Sequence, residues 1–556
     1  MNWPALWAGR ASFVVFDAGH GDGAGLAALL SAWRADLRRP ARLHYIGLDA
    51  QAAMPGWRRL PGHGDNVTVD LVGAPLDDAL AQLRTQIDFA WLHRMAGAGT
   101  HFARALGRLA APGMRVRAQA LAPAQLRALA AASFAMTPDA GGDEGSADGL
   151  YASRRPFAPA PAARARRAVV IGAGLAGSAA CQRLVARGWQ VTLVERHAHP
   201  AGEASGNLAG IVMPLLSRDD NRMTRLSRAA FLFAHDYWDA LGGVGHGGVV
   251  AGARCGVLQL ARDAAHAEVQ RAIAAEGRYP PAFAQWLDSA AAAAMLGGPA
   301  PHGAWHFAQG GWLRPASACG AMLTACGEAL VRRFATGDVH LAQGGEGWRV
   351  LDAAGAVVAE APVVILAGGA QAAKLAQAAT LPLAPVRGQV THLAAGMAPA
   401  LPFVLCREAY LTPAVRGWHS AGATYDEHAD PALRQDSQDA NLARLRAMLG
   451  DPGAAAGAPL AGRVGFRCVA PDRLPLVGAL PDPGAGTRLE RLREVPRYPG
   501  LYGLLGYASR GLTWAPLAAE LLAAQLDGTP LPLEAELADA LDPARFLLRE
   551  RRRNTI

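Results

Sequence analysis

The sequence predicts an α/β chain with an added α+β part: an N-terminal Rossmann-like domain, then a second Rossmann domain carrying an inserted antiparallel substrate domain. Three observations predict this. Residues 167–196, RAVVIGAGLAGSAACQRLVARGWQVTLVER, read as strand, glycine turn, Ala-rich helix and strand. The first 150 residues alternate short apolar strands with helical spacing and carry a glycine-rich turn of their own. From about Gly248 to Asp430 short strands, turns and helices mix without regular alternation, as in an α+β insertion. The expected divisions are 1–150, a linker at 151–166, and 167–556.

At 556 residues the chain exceeds one core, and a prior of ~150 residues per domain gives about three or four structural units. A content of 51% hydrophobic and 18% charged residues describes a globular protein and excludes a disordered one. The six cysteines show no CxxC spacing, so neither a zinc site nor a disulfide framework is expected, and a reducing cytoplasm fits. No membrane association is expected. The uncharged stretch 388–406 is broken by Gly396, Pro399 and Pro402, and the N-terminus lacks a basic segment followed by a clean apolar one. A formal charge of +8 and a pI near 9.5 shift the expectation modestly toward a polyanionic partner.

In the N-terminal part Phe13–Phe16 is a short buried strand, residues 17–23 (DAGHGDG) form a glycine turn, and Gly25–Arg38 has helical spacing. A second strand, Leu43–Leu48, ends on Asp49. Gly19, Gly21 and Gly23 after the first strand, with Asp49 after the second, form a nucleotide-binding layout. The GxGxG spacing is the form associated with S-adenosylmethionine, where no pyrophosphate has to be cradled. Further strands are expected at Val67–Val72, Ile87–Leu92 and Met114–Ala118. Residues 137–167 break the pattern: Thr137–Asp148 is rich in Gly, Asp and Ser, and Ala152–Arg167 in Pro, Ala and Arg. The segment reads as a linker, its arginines either a solvated connector or a contact for a phosphate backbone.

The unit at 167–196 carries a dinucleotide fingerprint. Gly172 makes the tight turn, Gly174 allows backbone to approach a pyrophosphate, and Gly177 allows close helix–strand packing. Phosphates would sit on the free N–H groups at the start of the helix. Glu195, with Arg196 beside it, ends the second strand, where a carboxylate can take both ribose hydroxyls of an adenosine. Residues 204–214 (ASGNLAGIVMP), including Ser205 and Asn207, form a small-residue loop that lets backbone approach a large planar cofactor. Residues 221–243 read as helix. The run 361–369 (APVVILAGG) is a buried strand ending on Gly368 and Gly369, where the chain returns to the nucleotide domain. Gly506–Gly511 is a loop, and its Ser509, Arg510 and Gly511 precede a helix from about Thr513 to Leu526, whose N-terminus is an anion or carbonyl-oxygen site. The chain closes on a basic tail at 545–553.

Together, GAGLAG with Glu195, ASGN at 204–207, GGWLRP at 310–315, RGQV at 387–390, YLTP at 410–413, GFRCVAPDRLPLVG at 465–478 and SRGLTWAPLAAELLA at 509–523 resemble the oxidoreductase half of the bifunctional tRNA 5-methylaminomethyl-2-thiouridine biosynthesis proteins, the MnmC family. That half is similar to D-amino-acid and glycine oxidase-like flavoproteins, which implies FAD. FDAGHGDGAG and LHYIGLDA resemble the family's methyltransferase half, which uses S-adenosyl-L-methionine. This half departs from the family pattern. The extension usually preceding the first strand is missing, the Gly-Asp after 67–72 is here Gly73-Ala74, and the family's Asp-Gly-Phe-Ala-Pro falls on residues 93–97 (HRMAG), so that His93 stands where the aspartate facing the amine is expected.

The resemblance implies work on the wobble uridine in the tRNA anticodon stem-loop: FAD-dependent removal of the carboxymethyl group from 5-carboxymethylaminomethyl-2-thiouridine, then methylation of the amine, with the second activity expected to be absent or very weak here. It implies Arg467 as partner of the substrate carboxylate, because a planar guanidinium holds a carboxylate bidentately; the alternative is a surface ion pair. Tyr410 lines the same pocket or packs the core. Ser509, Arg510 and Gly511 are expected at the flavin pyrimidine edge. His20 and His93 are either acid–base groups or by-products of drift. Two other readings stand beside this one: an FAD-dependent oxidase of a free amine such as glycine or sarcosine, and an N-terminal domain serving only to dock tRNA.

Overall fold

Strand Ser12–Asp17 is apolar on both sides and is buried on both. Phe13 and Val15 pack with Trp7, Leu29 and Trp33, whereas Val14 and Phe16 pack with Ile46, Val72 and Leu92. Such a run suits the centre of a parallel sheet covered on two faces. In the computed structural model, which describes residues 1–49, 51–60, 64, 66–93, 95, 97–139, 143–152, 165–345, 347–457, 461–484 and 490–553, it lies in an eight-stranded sheet. The sheet order is Gly56–Leu60, Val67–Gly73, Arg42–Leu48, Ser12–Asp17, Ile87–Leu92, Ala110–Ala118, Ala147–Tyr151, Phe134–Pro138. The five strands from Val67–Gly73 to Ala110–Ala118 are parallel. The order reverses beside Ser12–Asp17, which makes the carboxyl ends of that strand and Ile87–Leu92 the topological switch point.

The chain forms two compact units, Met1–Arg164 with Ala524–Ala538, and Ala165–Ala523 with Asp539–Ile556. In the first, the returning segment is held by ion pairing of Arg42 to Asp527 at 2.8 Å and by donation from Arg59 Nη2, itself buried against Asp70, to Pro530 O at 2.8 Å. The linker expected from Thr137 onward begins later. Phe134–Pro138 and Ala147–Tyr151 form an antiparallel hairpin, and the second of these pairs with Ala110–Ala118. Small residues are needed there: a Cβ on Gly149 would lie 2.6 Å from Met136 Sδ, and Ala147 is buried. The basic stretch 153–164 lies outside the described residues.

In the second unit the nucleotide sheet runs Leu330–Arg333, Gln190–Val194, Arg167–Ile171, Val363–Leu366, Arg497–Leu505, Leu476–Pro481, parallel except for the last pair. Val363–Leu366 pairs with Arg167–Ile171, which is the expected return point. The inserted part builds a mostly antiparallel eight-stranded sheet that includes Ala384–Ala394, Tyr410–Leu411, Trp418–Gly422 and Gly462–Val469. Helix Gln435–Leu449 covers it through Leu442, Leu445 and Met448. The basic tail is helix Arg545–Arg553, and Arg545 is buried on Asp472 rather than free in solvent. Among the described residues no helix is long and apolar enough to cross a membrane.

Arg387 on strand Ala384–Ala394 is wholly buried and pins the segment that follows Trp418–Gly422. Its guanidinium donates to Asp430 O at 2.7 Å, Ala432 O at 2.7 Å, Asp426 Oδ2 at 2.9 Å and Gln389 Oε1 at 2.9 Å. Replacing Arg387 with Met would remove the donor that joins these four acceptors, although Asp426 keeps its bond from Thr424 Oγ1 and Gln389 Oε1 its bond from Arg434 N. The expected cost is about 1.5–3 kcal/mol, that of lost charge-assisted hydrogen bonds, read as a lower denaturant midpoint for the transition of the second unit; an unchanged midpoint would contradict this account of the segment.

Candidate active site

The fingerprint turn is shaped by contacts that exclude side chains. Gly172 has φ +108°, and a Cβ there would lie 2.7 Å from Ala367 O; a Cβ on Gly177 would lie 1.8 Å from Gly172 O. Gly174 is different. Its Cβ would meet only the Ser205 hydroxyl, at 3.1 Å from Oγ, a tight contact with one side chain where Gly172 and Gly177 face backbone, so the turn is open to close approach by whatever docks on it. Glu195 is nearly buried; its carboxylate accepts from Ala173 N at 2.7 Å and His197 N at 2.9 Å, fixing it beside the turn. Ser205 Oγ accepts from Leu175 N at 3.1 Å, at the start of helix Leu175–Ala186.

A cavity of about 650 Å³ opens from this turn. Gly172, Gly174, Glu195, Arg196, Ser205 and Asn207 line one end, with Gly368 beside them; Tyr410, Arg467, Ser509, Arg510 and Gly511 line it further along. Gly177 lies under the turn instead. Arg196 sits half-exposed in an ion pair with Asp338 at 2.9 Å, and Asn207 Oδ1 accepts from Arg463 Nη1 at 3.3 Å. Helix Gly511–Asp527 starts at the cavity wall, so its first N–H groups, which lack intrahelical acceptors, are available to a ligand. Two lining residues, Gln371 and Tyr507, carry buried side-chain oxygens with no protein partner. The unfilled space over Gly174, the fixed Glu195, the helix start and these orphaned oxygens fit a dinucleotide cofactor spanning the cavity.

At the far end Arg467 projects from strand Gly462–Val469. Its Nη1 donates to Thr424 O at 3.0 Å and Arg387 O at 3.3 Å, and its guanidinium lies 4.1 Å from the centre of the Tyr425 ring. A Cβ on Gly388 would fall 2.0 Å from Nη1, which explains the glycine in RGQV. Among the described residues Arg467 has no carboxylate partner. Arg510 is likewise without one; burial lowers its pKa, and it donates only to Met213 O at 3.4 Å. Two guanidiniums without counter-ions on one cavity call for an anionic ligand. Tyr410 is held neutral, pushed up to about 12 by burial and the nearby Cys406 against the opposing pull of Arg467.

Two residues were missed by the sequence reading. Arg463 donates to Gly202 O at 2.8 Å and Glu203 O at 2.7 Å and so holds the ASGN loop; a Cβ on Gly206 would meet its Nη2. The period of a strand gave a signal, because residues 463, 465 and 467 share a face. Tyr425 had no such signal, since it reaches Arg467 only through the tertiary fold.

In the first unit Gly21 and Gly23 adopt positive φ, +57° and +81°, as the glycine turn requires, and Gly19 N donates to Asp17 Oδ1 at 2.9 Å. Asp49 accepts from Gln51 N at 3.1 Å within its own turn. The carboxyl ends of the strands are occupied by side chains closing on the buried Asp17. His93 Nε2 lies 2.7 Å from Asp17 Oδ1, Tyr45 OH donates to Oδ2 at 2.7 Å, and His20 Nδ1 lies 3.0 Å from Tyr45 OH. Burial raises the pKa of Asp17, but hydrogen bonds from His93, Gly19 and Tyr45 outweigh it and hold the carboxyl below its ordinary value. His20 and His93 thus belong to one network. The glycine turn suits a nucleoside, and Gly47 and Gly25 are kept free of side chains by their neighbours: a Cβ on Gly47 would lie 2.7 Å from the Tyr45 ring, and one on Gly25 2.9 Å from Trp91.

The fold and cavity of the second unit are those of an FAD-dependent oxidoreductase. The family described as "FAD dependent oxidoreductase" (DAO) matches residues 167–525. Among solved structures, iminodiacetate oxidase from Chelativorans sp. BNC1 superposes with a TM-score of 0.55 at 25% identity, covering 66% of this chain and 98% of that one. Glycine oxidase from Geobacillus kaustophilus gives 0.57 at 20% identity, covering 68% and 99%. Over its whole length the chain is 41% identical to the tRNA 5-methylaminomethyl-2-thiouridine biosynthesis bifunctional protein MnmC of Azoarcus sp. (strain BH72), covering 99% of this chain and 92% of the relative, and 39% identical to that of Burkholderia thailandensis, covering 100% and 93%. The chain belongs to the MnmC family.

Because a Cβ on Gly174 would press only on the Ser205 hydroxyl, which has to give by a few tenths of an ångström, the smallest replacement tests the ligand more than the fold. Gly174→Ala is expected to unfold near the wild-type midpoint while purifying with much of its FAD lost, read from the visible flavin spectrum; full flavin occupancy in the folded variant would show that no pyrophosphate approaches this turn.

Proposed function

We propose that this chain carries out the oxidative step of wobble-uridine modification in tRNA, converting 5-carboxymethylaminomethyl-2-thiouridine to 5-aminomethyl-2-thiouridine and glyoxylate. The observation that carries the reading is the shared cavity: a dinucleotide turn and a counter-ion-free Arg467 open on one space, in a chain whose full-length relatives bear a tRNA-modification name. Bound FAD supplies an acceptor for two electrons from the carbon beside the secondary amine. That carbon loses a hydride, the amine nitrogen loses its proton, and a C=N bond forms. Water adds to this imine carbon and the C–N bond breaks, leaving the primary amine on the nucleoside and releasing glyoxylate.

The residues have defined parts in this reading. Arg467 takes the carboxylate in a charge-assisted hydrogen bond, its aim set by Thr424 O, Arg387 O and the Tyr425 ring. Tyr410, neutral near pH 7, contributes a phenol that can donate without adding charge. Arg510 and the start of helix Gly511–Asp527, both on the cavity wall, would supply positive field to the negative charge that a reduced flavin accumulates. The overall excess of basic residues suits a polyanionic substrate, here the anticodon stem-loop, and a cytoplasmic setting. The second reading, oxidation of a small free amine, draws on the likeness to iminodiacetate oxidase, whose named substrate is a secondary amine bearing carboxymethyl groups. The same carboxymethylamine unit is present in the tRNA nucleoside, so that likeness fits the first reading as well.

For the first unit we infer a retained methyltransferase fold without efficient methyl transfer. Methylation needs a neutral amine held in line with the sulfonium. His93 is engaged with Asp17, and Tyr45 and His20 close the crevice where donor and amine would meet.

Two outcomes are expected. Arg467→Ala should keep its FAD while glyoxylate release from carboxymethylaminomethyl tRNA at low substrate falls roughly 10- to 150-fold, the loss of a charged hydrogen bond; an unchanged rate would remove Arg467 from the site. Calorimetry with S-adenosylmethionine and nucleoside analysis after incubation with aminomethyl tRNA should find no methylaminomethyl product, and efficient formation of it would overturn the account of the first unit.

A further inference from the structure

Tyr425 is an exposed aromatic on a rigid mount. Its side chain is 60% exposed although it lines the cavity. The residues on either side of it are fixed: Thr424 N donates to Gln389 O at 3.2 Å, Thr424 Oγ1 donates to Asp426 Oδ2 at 2.8 Å, and Asp426 exchanges backbone hydrogen bonds with Arg387 at 2.9 and 3.0 Å. Asp426 Oδ2 also receives the guanidinium of the buried Arg387. Contact with the Arg467 guanidinium takes up only part of the ring. An aromatic held this firmly, with much of its surface left in water, loses little conformational freedom when a flat partner covers it.

We propose that Tyr425 is the platform on which the pyrimidine ring of the target nucleotide stacks while its carboxymethylamine arm reaches Arg467, so that this residue selects a nucleotide over a free amino acid. The inference rests on the tRNA reading of the site. The wobble nucleotide lies in the single-stranded anticodon loop; to bring its arm to Arg467 the base has to leave the loop's stack, and an aromatic face replaces the lost neighbour. Base–aromatic stacking tolerates different bases because each has a π face; selection therefore falls between substrates with a ring and those without. Glycine and N-methylglycine offer a carboxylate to Arg467 and nothing to Tyr425. The stacked pair also has a directional consequence: an Arg467 covered by Tyr425 presents its remaining N–H groups to the cavity rather than to solvent.

The test compares wild type, Tyr425→Phe and Tyr425→Ala as FAD-loaded full-length chains. Two ligands are used: tRNA carrying the carboxymethylaminomethyl group, with glyoxylate as readout, and N-methylglycine, measured as a substrate or as a competitive inhibitor. Tyr425→Ala should lower kcat/KM for tRNA about 5- to 150-fold, the range of one lost base–aromatic stack. Most of the loss should lie in KM. Its constant for N-methylglycine, which loses only the ring's hold on Arg467, should fall by at least about fivefold less than the tRNA value, and Tyr425→Phe should match wild type on both. An equal loss for both ligands would make Tyr425 only a support for Arg467, and an unchanged kcat/KM for tRNA would remove it from recognition; either overturns the proposal. Absence of glyoxylate from tRNA with the wild type would instead sink the functional reading and this inference with it.

Discussion

The oxidase site depends on one guanidinium being held without a counter-ion. Arg467 is fixed by two backbone carbonyls, by the Tyr425 ring, and by the missing side chain of Gly388. None of these supplies negative charge, so the cation keeps its capacity for an incoming carboxylate. The carbonyls themselves need placing, and Arg387 does this by tying strand Ala384–Ala394 to the segment that carries Thr424, Tyr425 and Asp426. One buried arginine therefore positions the frame, and a second, exposed to the cavity, does the recognition in the function proposed here. Their chemistry is the same; burial and partners divide the work.

The other end of the cavity follows a similar rule, in which absent side chains define the site. Gly172 and Gly177 are needed because backbone stands where a Cβ would go, whereas Gly174 faces only the Ser205 hydroxyl and the cavity. Arg463 closes this end by holding the loop at 202–207, and it projects from the same face of the same strand as Arg467. That strand thus ties the cofactor loop to the substrate cation. In the first unit the logic is reversed: the glycine turn persists, yet His20, Tyr45 and His93 satisfy Asp17 among themselves and occupy the ends of the strands.

Much of this was legible in the sequence because it is local. The fingerprint unit, Glu195, the return strand near 363–366 and the helix after Arg510 all follow from periodicity and glycine placement within a few dozen residues. The part of the hairpin at 134–151 from Thr137 onward was read as linker because its Gly, Asp and Ser content hides strands whose few apolar anchors, Phe134, Ala147 and Tyr151, stand at their ends. The helix at 545–553 was read as a free basic tail, because sequence alone cannot pair Arg545 with Asp472, 73 residues away. Tyr425 was missed for the same reason. Its contact with Arg467 bridges 42 positions and depends on the Arg387 network lying between them.

The central claim is that the cavity joins a bound flavin to the carboxymethylamine of a tRNA nucleoside, and the reductive half-reaction isolates it. The FAD-loaded protein would be mixed without oxygen with tRNA carrying 5-carboxymethylaminomethyl-2-thiouridine, following the visible flavin absorbance and then measuring glyoxylate and the nucleoside. The account predicts bleaching of the flavin, with one glyoxylate and one 5-aminomethyl-2-thiouridine formed for each flavin reduced. A flavin that stays oxidised with this tRNA but is bleached by glycine or N-methylglycine would contradict it.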